Sequence, residues 1–171
     1  MERFSLDRIH FIPSRHPPHK NLPRVTPFVH RLRMLEMSIS GDDRFSVLDV
    51  EPATGPSYTV NLVERLSVHA QGRPCLILGM DSLAEMRLWR EPGRILREAD
   101  VVVGTRPGFS AAGVPGEWLS GVRLFEFPGV CLSSSEIRER VSGGRSIRYL
   151  VTEEVRSYIR EKGLYGSGQG N

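Results

Sequence analysis

Only two cysteines and two lysines occur among the 171 residues. Cys75 and Cys131 lie far apart, each inside an apolar run, so buried thiols are expected. A zinc site would need more ligands at closer spacing. No apolar run approaches the roughly 20 residues that span a bilayer. The opening Met-Glu-Arg-Phe-Ser-Leu-Asp-Arg carries no apolar signal-peptide core. A cytoplasmic protein without a membrane partner is therefore expected. Apart from Lys20 and Lys162 the basic residues are all arginine, and the formal net charge is only +3. The arginines are scattered rather than clustered on one element, and no aromatic platform accompanies them. No nucleic-acid partner is expected from that pattern. Scattered guanidiniums suit isolated phosphate contacts better than a continuous groove.

Apolar and aromatic side chains run through the whole chain, at 39% hydrophobic overall, which excludes disorder as the dominant state. A chain of this length can bury roughly two-thirds of its extended-chain surface in one core. One domain is expected over residues 1–165, with Gly166 to Asn171 as a disordered tail. Arg8 to Ile12 reads as a strand, followed by a Pro-rich basic loop from Ser14 to Arg24. Thr26 reads as an N-cap and Pro27 as the first helical residue. Val29, Leu32, Leu35 and Ile39 continue at helical spacing. Phe45 to Val50 is expected to be a strand, Gly55-Pro56-Ser57 a turn, and Tyr58 to Val68 a helix. Cys75 to Leu78 and Val101 to Val103 are apolar without alternation, the pattern of strands covered on both faces. A helix capped by Asp81, a helix over Gly93 to Glu98, and a strand over Val122 to Phe127 follow. Residues 107 to 121, rich in Gly, Ala and Pro, read as a loop. Ser133 opens a helix with a capping box, Glu136 standing three residues on. The last helix runs from about Thr152 to Lys162 and stops at Gly163. Val155 and Ile159 on it are expected to pack on the domain itself. Strands alternating with helices predict a doubly wound α/β domain with a mostly parallel sheet.

Such folds bind ligands beyond the carboxyl ends of their strands. His16, Pro17, Pro18, His19 and Lys20 follow the first strand; Gly79-Met80-Asp81 and Thr105-Arg106 follow two others. Ser133-Ser134-Ser135-Glu136-Ile137-Arg138 follows the strand ending near Val130. Lys20, Arg106 and Arg138 supply positive charge there. The helix opened by Ser133 supplies unpaired N–H groups and a positive dipole end. Taken singly, the serines and Asp81 read as helix caps, the histidines as exposed loop residues and Trp89 as core. Taken together on one rim they suit a polyphosphate.

These residues stand in motifs that resemble the bacterial nicotinate-nucleotide adenylyltransferase family of the nucleotidyltransferase superfamily. The resemblance runs from about Leu6 to Tyr165. It rests on Asp7 to Pro13, Pro17-Pro18-His19-Lys20, Arg31 with Met34 and Leu35, and Gly55-Pro56-Ser57-Tyr58-Thr59. It continues in Gly79-Met80-Asp81-Ser82-Leu83, Trp89, Arg106-Pro107-Gly108 and Leu132 to Arg138. Ile147 to Val151 and Gly163-Leu164-Tyr165 complete it.

The resemblance implies a Rossmann-like fold, with ATP and nicotinate mononucleotide as substrates. Nicotinate adenine dinucleotide and pyrophosphate would be the products, in NAD biosynthesis, and Mg2+ would accompany ATP. It implies ATP-phosphate contacts from His19, Lys20, Arg106, Ser134, Ser135 and Arg138. It implies contacts to the mononucleotide from Tyr58, Thr59, Asp81 and Trp89, the tryptophan stacking on the pyridine ring. No metal ligand among the side chains is implied, and a homo-oligomer stays open. Family members open with a strand followed by Gly-Gly-x-Phe-Asp-Pro-x-His-x-Gly-His, about two dozen residues in all. That segment has no counterpart after Met1. The catalytic histidine pair and the first strand are thus missing from the chain, and a gene start upstream of Met1 is the expected reason. Open strand edges are expected in consequence. The activity of residues 1–171 alone stays unassigned on this reading. Two alternatives remain: a pantetheine-phosphate adenylyltransferase-like enzyme, and a nucleotide-binding relative without catalysis. Gly55 to Thr59 and Trp89 disfavour the former.

Overall fold

A computed structural model describes residues 1–17, 25–69, 73–105, 114–129 and 132–166. In chain order the elements are β1 (Ile9–Phe11), α1 (Phe28–Ile39), β2 (Phe45–Val47), α2 (Thr59–His69) and β3 (Cys75–Gly79). They continue with α3 (Met80–Glu85), α4 (Pro92–Glu98), β4 (Asp100–Thr105) and α5 (Gly116–Ser120). The chain closes with β5 (Val122–Glu126), α6 (Ser134–Ser142) and α7 (Glu153–Glu161). Among the described residues every strand pair is parallel, in the orders β1-β2 and β3-β4-β5. The expected parallel α/β architecture is present. Among the described residues β1 pairs only with β2 and β3 only with β4, so each keeps an open edge. The expected tail lies, from residue 167 on, outside the described residues.

The described residues gather into two compact units. One comprises 1–15, 25–51 and 132–166. In it α1 connects β1 to β2, pairing Ile9 with Phe45 and Phe11 with Val47. Its core joins Ile137 of α6, Ile147, Val155 and Ile159 of α7, and Leu164, with Met34 and Met37 of α1 packed against them. Val155 and Ile159 lie one turn apart, so both fall on the face of α7 that meets this core. The packing of α7 on its own domain is as expected. Thr152 caps that helix, its Oγ1 accepting from Val155 N at 3.4 Å, and Gly163 leaves it at φ 59°, where glycine adds no Cβ clash.

The other unit holds 16–17, 52–69, 73–105 and 114–129. Its centre is β4, whose Val101, Val102 and Val103 are at most 2% exposed. Period-two alternation turns Val101 and Val103 to a cluster with Val60 and Val63 of α2, Leu83 of α3 and Ile95 of α4. Gly104 follows on the strand; a Cβ there would sit 2.9 Å from Phe127 Cε1 and 3.2 Å from Phe125 Cζ. The two rings occupy space that only glycine leaves open.

Five expectations need correction. Thr26 does not cap α1: Pro27 is itself extended, at ψ 142°, so helical dihedrals begin at Phe28. Asp81 does not cap α3, because Gly79 holds the cap position and Asp81 falls in the first turn. Residues 116–120 are a short helix inside the expected loop; five residues are too few to show a helical period. The second strand stops at Val47 rather than Val50. β3 is half-buried rather than buried: Leu76 and Leu78 meet the core, while Ile77 on the alternate face is 43% exposed. Cys75 shares this environment and is likewise half-buried, with burial raising its thiol pKa. Cys131 lies outside the described residues.

Leu83 is fully enclosed, so Leu83→Ala should leave a cavity and cost about 2–5 kcal/mol. Leu88→Ala, at a 60% exposed site, should stay within about 0.5 kcal/mol. Urea unfolding of the two variants checks the contrast; equal losses would mean that the core is not centred on β4.

Candidate functional site

Ser134, Ser135 and Arg138 stand on α6, which opens with a side-chain cap. Ser133 sits before it in extended conformation, and its Oγ accepts from Glu136 N at 3.1 Å. This is the main-chain half of the expected capping box. The cap fixes the direction of the helix start, so the N–H groups of its first turn point together. Ser134 and Ser135 stand on that turn, and Arg138 follows one turn later. Its Nη2 donates to Ser135 Oγ at 3.0 Å. That spacing is the i, i+3 relation of a helix face.

Ser134, Ser135 and Arg138 line a cavity of about 680 Å³ at the carboxyl end of β1, where Pro13 also contributes. Its apolar wall includes Met34, Ile137 and Val155, and its polar wall also includes Thr26, Arg31, Ser38 and Tyr165. Among the described residues no carboxylate lines it and both charged groups are guanidiniums, so its charge favours an anion. Thr26 Oγ1 donates to Tyr165 Oη at 3.1 Å. Arg31 donates to three main-chain carbonyls: Nε to Thr26 O at 2.9 Å, Nη1 to Ser14 O at 2.7 Å, and Nη2 to Arg15 O at 3.3 Å. Burial holds the Arg31 guanidinium below its ordinary pKa, with a smaller opposing contribution from Tyr165.

The second unit carries Tyr58, Thr59, Asp81 and Trp89. Tyr58 and Trp89 are half-buried against the same core cluster as Leu83. The Arg90 guanidinium lies 5.0 Å from the Tyr58 ring centroid, a cation–π contact. Thr59 is the first residue of α2. His16 is fastened to the turn before that helix: its N–H donates to Ser57 Oγ at 3.0 Å, and Ser57 N returns a bond to His16 O. The His16 ring Nε2 donates to Ala53 O at 3.1 Å. Gly79 and Gly104 stand in register at the carboxyl ends of β3 and β4. A Cβ on Gly79 would overlap the carboxylate of Asp81. The spacing Gly-x-Asp therefore has a steric cause: the bare glycine leaves room for the acid to fold back over the strand end.

The structure thus gathers Ser134, Ser135 and Arg138 in one cavity, and packs Tyr58 and Trp89 on one core. His19, Lys20 and Arg106 lie outside the described residues. Thr26, Arg31 and Tyr165 were missed as lining residues. Arg31 carried a signal, since the start of a helix disfavours a cation; Tyr165 carried none beyond its motif. Among the described residues no three His, Cys, Asp or Glu side chains gather to hold a metal ion.

Residues 1–140 match the family described as cytidylyltransferase-like. A nicotinate-nucleotide adenylyltransferase of Symbiobacterium thermophilum is 38% identical over 175 residues, covering 97% of this chain and 84% of the relative. One of Geobacillus thermodenitrificans is 40% identical, covering 98% of this chain and 76% of the relative. The chain belongs to the nicotinate-nucleotide adenylyltransferase family. Among solved structures, the Plasmodium falciparum nicotinic acid mononucleotide adenylyltransferase complexed with NaAD superimposes with a TM-score of 0.76 at 20% identity. The match covers 93% of this chain and 82% of that one. The same enzyme complexed with APC gives 0.74 at 19% identity. At that distance the likeness establishes the fold, which is the nucleotidyltransferase form of the Rossmann-like architecture.

For this member of the family, Ser133→Ala removes the side-chain cap of α6 and should cost about 1 kcal/mol of stability. Chemical denaturation checks it. A loss below about 0.3 kcal/mol would mean that the helix start is held by something other than Ser133.

Proposed function

We infer that the protein transfers the adenylyl group of ATP to nicotinate mononucleotide, releasing pyrophosphate and forming nicotinate adenine dinucleotide, in NAD biosynthesis. The observation that carries this reading is the cavity, lined among the described residues by two guanidiniums, no carboxylate and a capped helix start, in a chain 38–40% identical to relatives of that name. A phosphate oxygen of the mononucleotide attacks the α-phosphorus. The new P–O bond forms as the bond from the α-phosphorus to the oxygen bridging to the β-phosphate breaks. That oxygen leaves with its electron pair on pyrophosphate. No covalent enzyme intermediate is needed. The protein's contribution is to align two anions and to neutralise the charge that grows on the leaving group.

Arg138, Ser134, Ser135 and the N–H groups of α6 suit that leaving pyrophosphate. The family motifs add His19, Lys20 and Arg106 on the phosphate side. Asp81 is assigned to orient the mononucleotide, and Trp89 to stack on its pyridine ring. Thr59, Tyr58 and the N–H groups at the start of α2 would receive the nicotinate carboxylate; an uncharged amide would gain less there. Magnesium would travel with the triphosphate, held through phosphate oxygens and water. No helix among the described residues is long and apolar enough to cross a membrane. We place the reaction in the cytoplasm.

Pyrophosphate release should be fastest with nicotinate mononucleotide, slower with its amide and negligible with pantetheine phosphate. Equal or better turnover of pantetheine phosphate would overturn the assignment. Arg138→Ala should weaken ATP binding or turnover at least 10-fold, about 1.4 kcal/mol. Unchanged ATP kinetics would leave Arg138 a surface residue bonded to Ser135 and nothing more.

A further inference from the structure

Arg31 has no place in the roles so far assigned, yet its surroundings are unusual for a surface arginine. A guanidinium has five N–H donors. Three are taken by the carbonyls of Ser14, Arg15 and Thr26, which leaves one on each terminal nitrogen. Among the described residues no carboxylate lies within ion-pairing distance of it. The Phe28 ring also lies near it, at 5.5 Å from the guanidinium carbon to the centroid. The carbonyls fix the plane of the group, so its direction does not depend on a ligand. The group borders the same cavity as Arg138.

A partly desolvated cation without a counter-charge is costly. Arg138, exposed on the same cavity, adds a second positive charge, and among the described residues no acidic group lines the cavity to offset either. An anion bound there supplies Arg31 with the counter-charge it lacks. We propose that Arg31 is an anion-binding residue of this cavity, which with Arg138 takes a polyphosphate chain. Its three carbonyl bonds hold it ready, so little ordering entropy is lost on binding. The same bonds tie Ser14 and Arg15 to Thr26, so the cation and the chain around it are fixed as one piece. The neighbouring Arg15 strengthens that piece: its guanidinium stacks on Phe28 at 4.1 Å and pairs with Asp49. Arg15 thus has a carboxylate partner, whereas Arg31 has none among the described residues. The inference rests on the reading of the cavity as the triphosphate end of the site.

The test measures binding of inorganic tripolyphosphate and of ATP by calorimetry, with thermal unfolding of each variant recorded without ligand. Arg31→Gln keeps an amide donor for the carbonyls and removes the charge. Arg31→Lys keeps the charge and loses the fork. Arg31→Gln should weaken tripolyphosphate at least 10-fold, and Arg31→Lys no more than about threefold. In the wild type the affinity should fall steeply with added salt, and less steeply in Arg31→Gln. Unaltered affinity in Arg31→Gln, with Arg138→Ala weakened, would overturn the proposal and leave the cavity as the triphosphate site. Equal weakening in Gln and Lys variants would also overturn it, by showing that only the main-chain bonds matter. Unaltered affinity in both Arg31→Gln and Arg138→Ala would overturn the reading of the cavity itself. If Arg31→Gln lacks a cooperative transition, Arg31→Lys decides: affinity within threefold of wild type supports the proposal, and a 10-fold loss overturns it.

Discussion

Every strand pair among the described residues is parallel, and a parallel pair cannot be closed by a hairpin. The chain must cross back over the sheet between strands, and in both units it does so through helices. That single constraint delivers the carboxyl ends of neighbouring strands to one side, with a loop or helix start beyond each. Pro13 after β1, the Gly79–Gly104 pair ending β3 and β4, and Asp81 just past Gly79 all occupy such ends. The chemistry-bearing residues are displayed by the connections, while the apolar residues inside the strands hold those connections in register.

Charge then decides what the first unit's cavity can accept. Several arginines elsewhere are ion-paired: Arg44 with Asp42, Arg94 with Glu64 and Glu98, Arg156 with Glu153. Arg44 holds the Asp42 carboxyl at about 2 through its hydrogen bonds. The guanidiniums of the cavity are instead bonded to hydroxyl and carbonyl oxygens that carry no formal charge. Neutral partners orient a cation without cancelling it. An arginine held in this way stays available for a phosphate, which an ion-paired one does not.

The sequence made some of this legible and concealed the rest for physical reasons. Ser133 with Glu136 announced a helix start because capping is local chemistry, and α6 begins where that pair places it. Val101 to Val103 announced a buried strand, and β4 is one. The same reasoning failed one strand away. Cys75 to Leu78 is equally apolar, but burial of both faces depends on what covers the sheet, which no local pattern records. Asp81 was placed on the right element and given the wrong job, because the cap position is set by where Gly79 turns the chain. Arg31 was legible as part of a motif and as a cation near a helix start, but not as a cavity residue. Its three carbonyl partners are 5, 16 and 17 residues away in sequence, and contacts of that range appear only once the chain is folded.

The account's central claim is that the triphosphate of ATP lies against the start of α6. A crystal structure of the protein with a non-hydrolysable ATP analogue tests it most directly. The account predicts phosphate oxygens within hydrogen-bonding distance of the α6 N–H groups and of Ser134, Ser135 and Arg138. An analogue bound with its phosphates elsewhere, and the α6 cavity filled only by solvent, would contradict it.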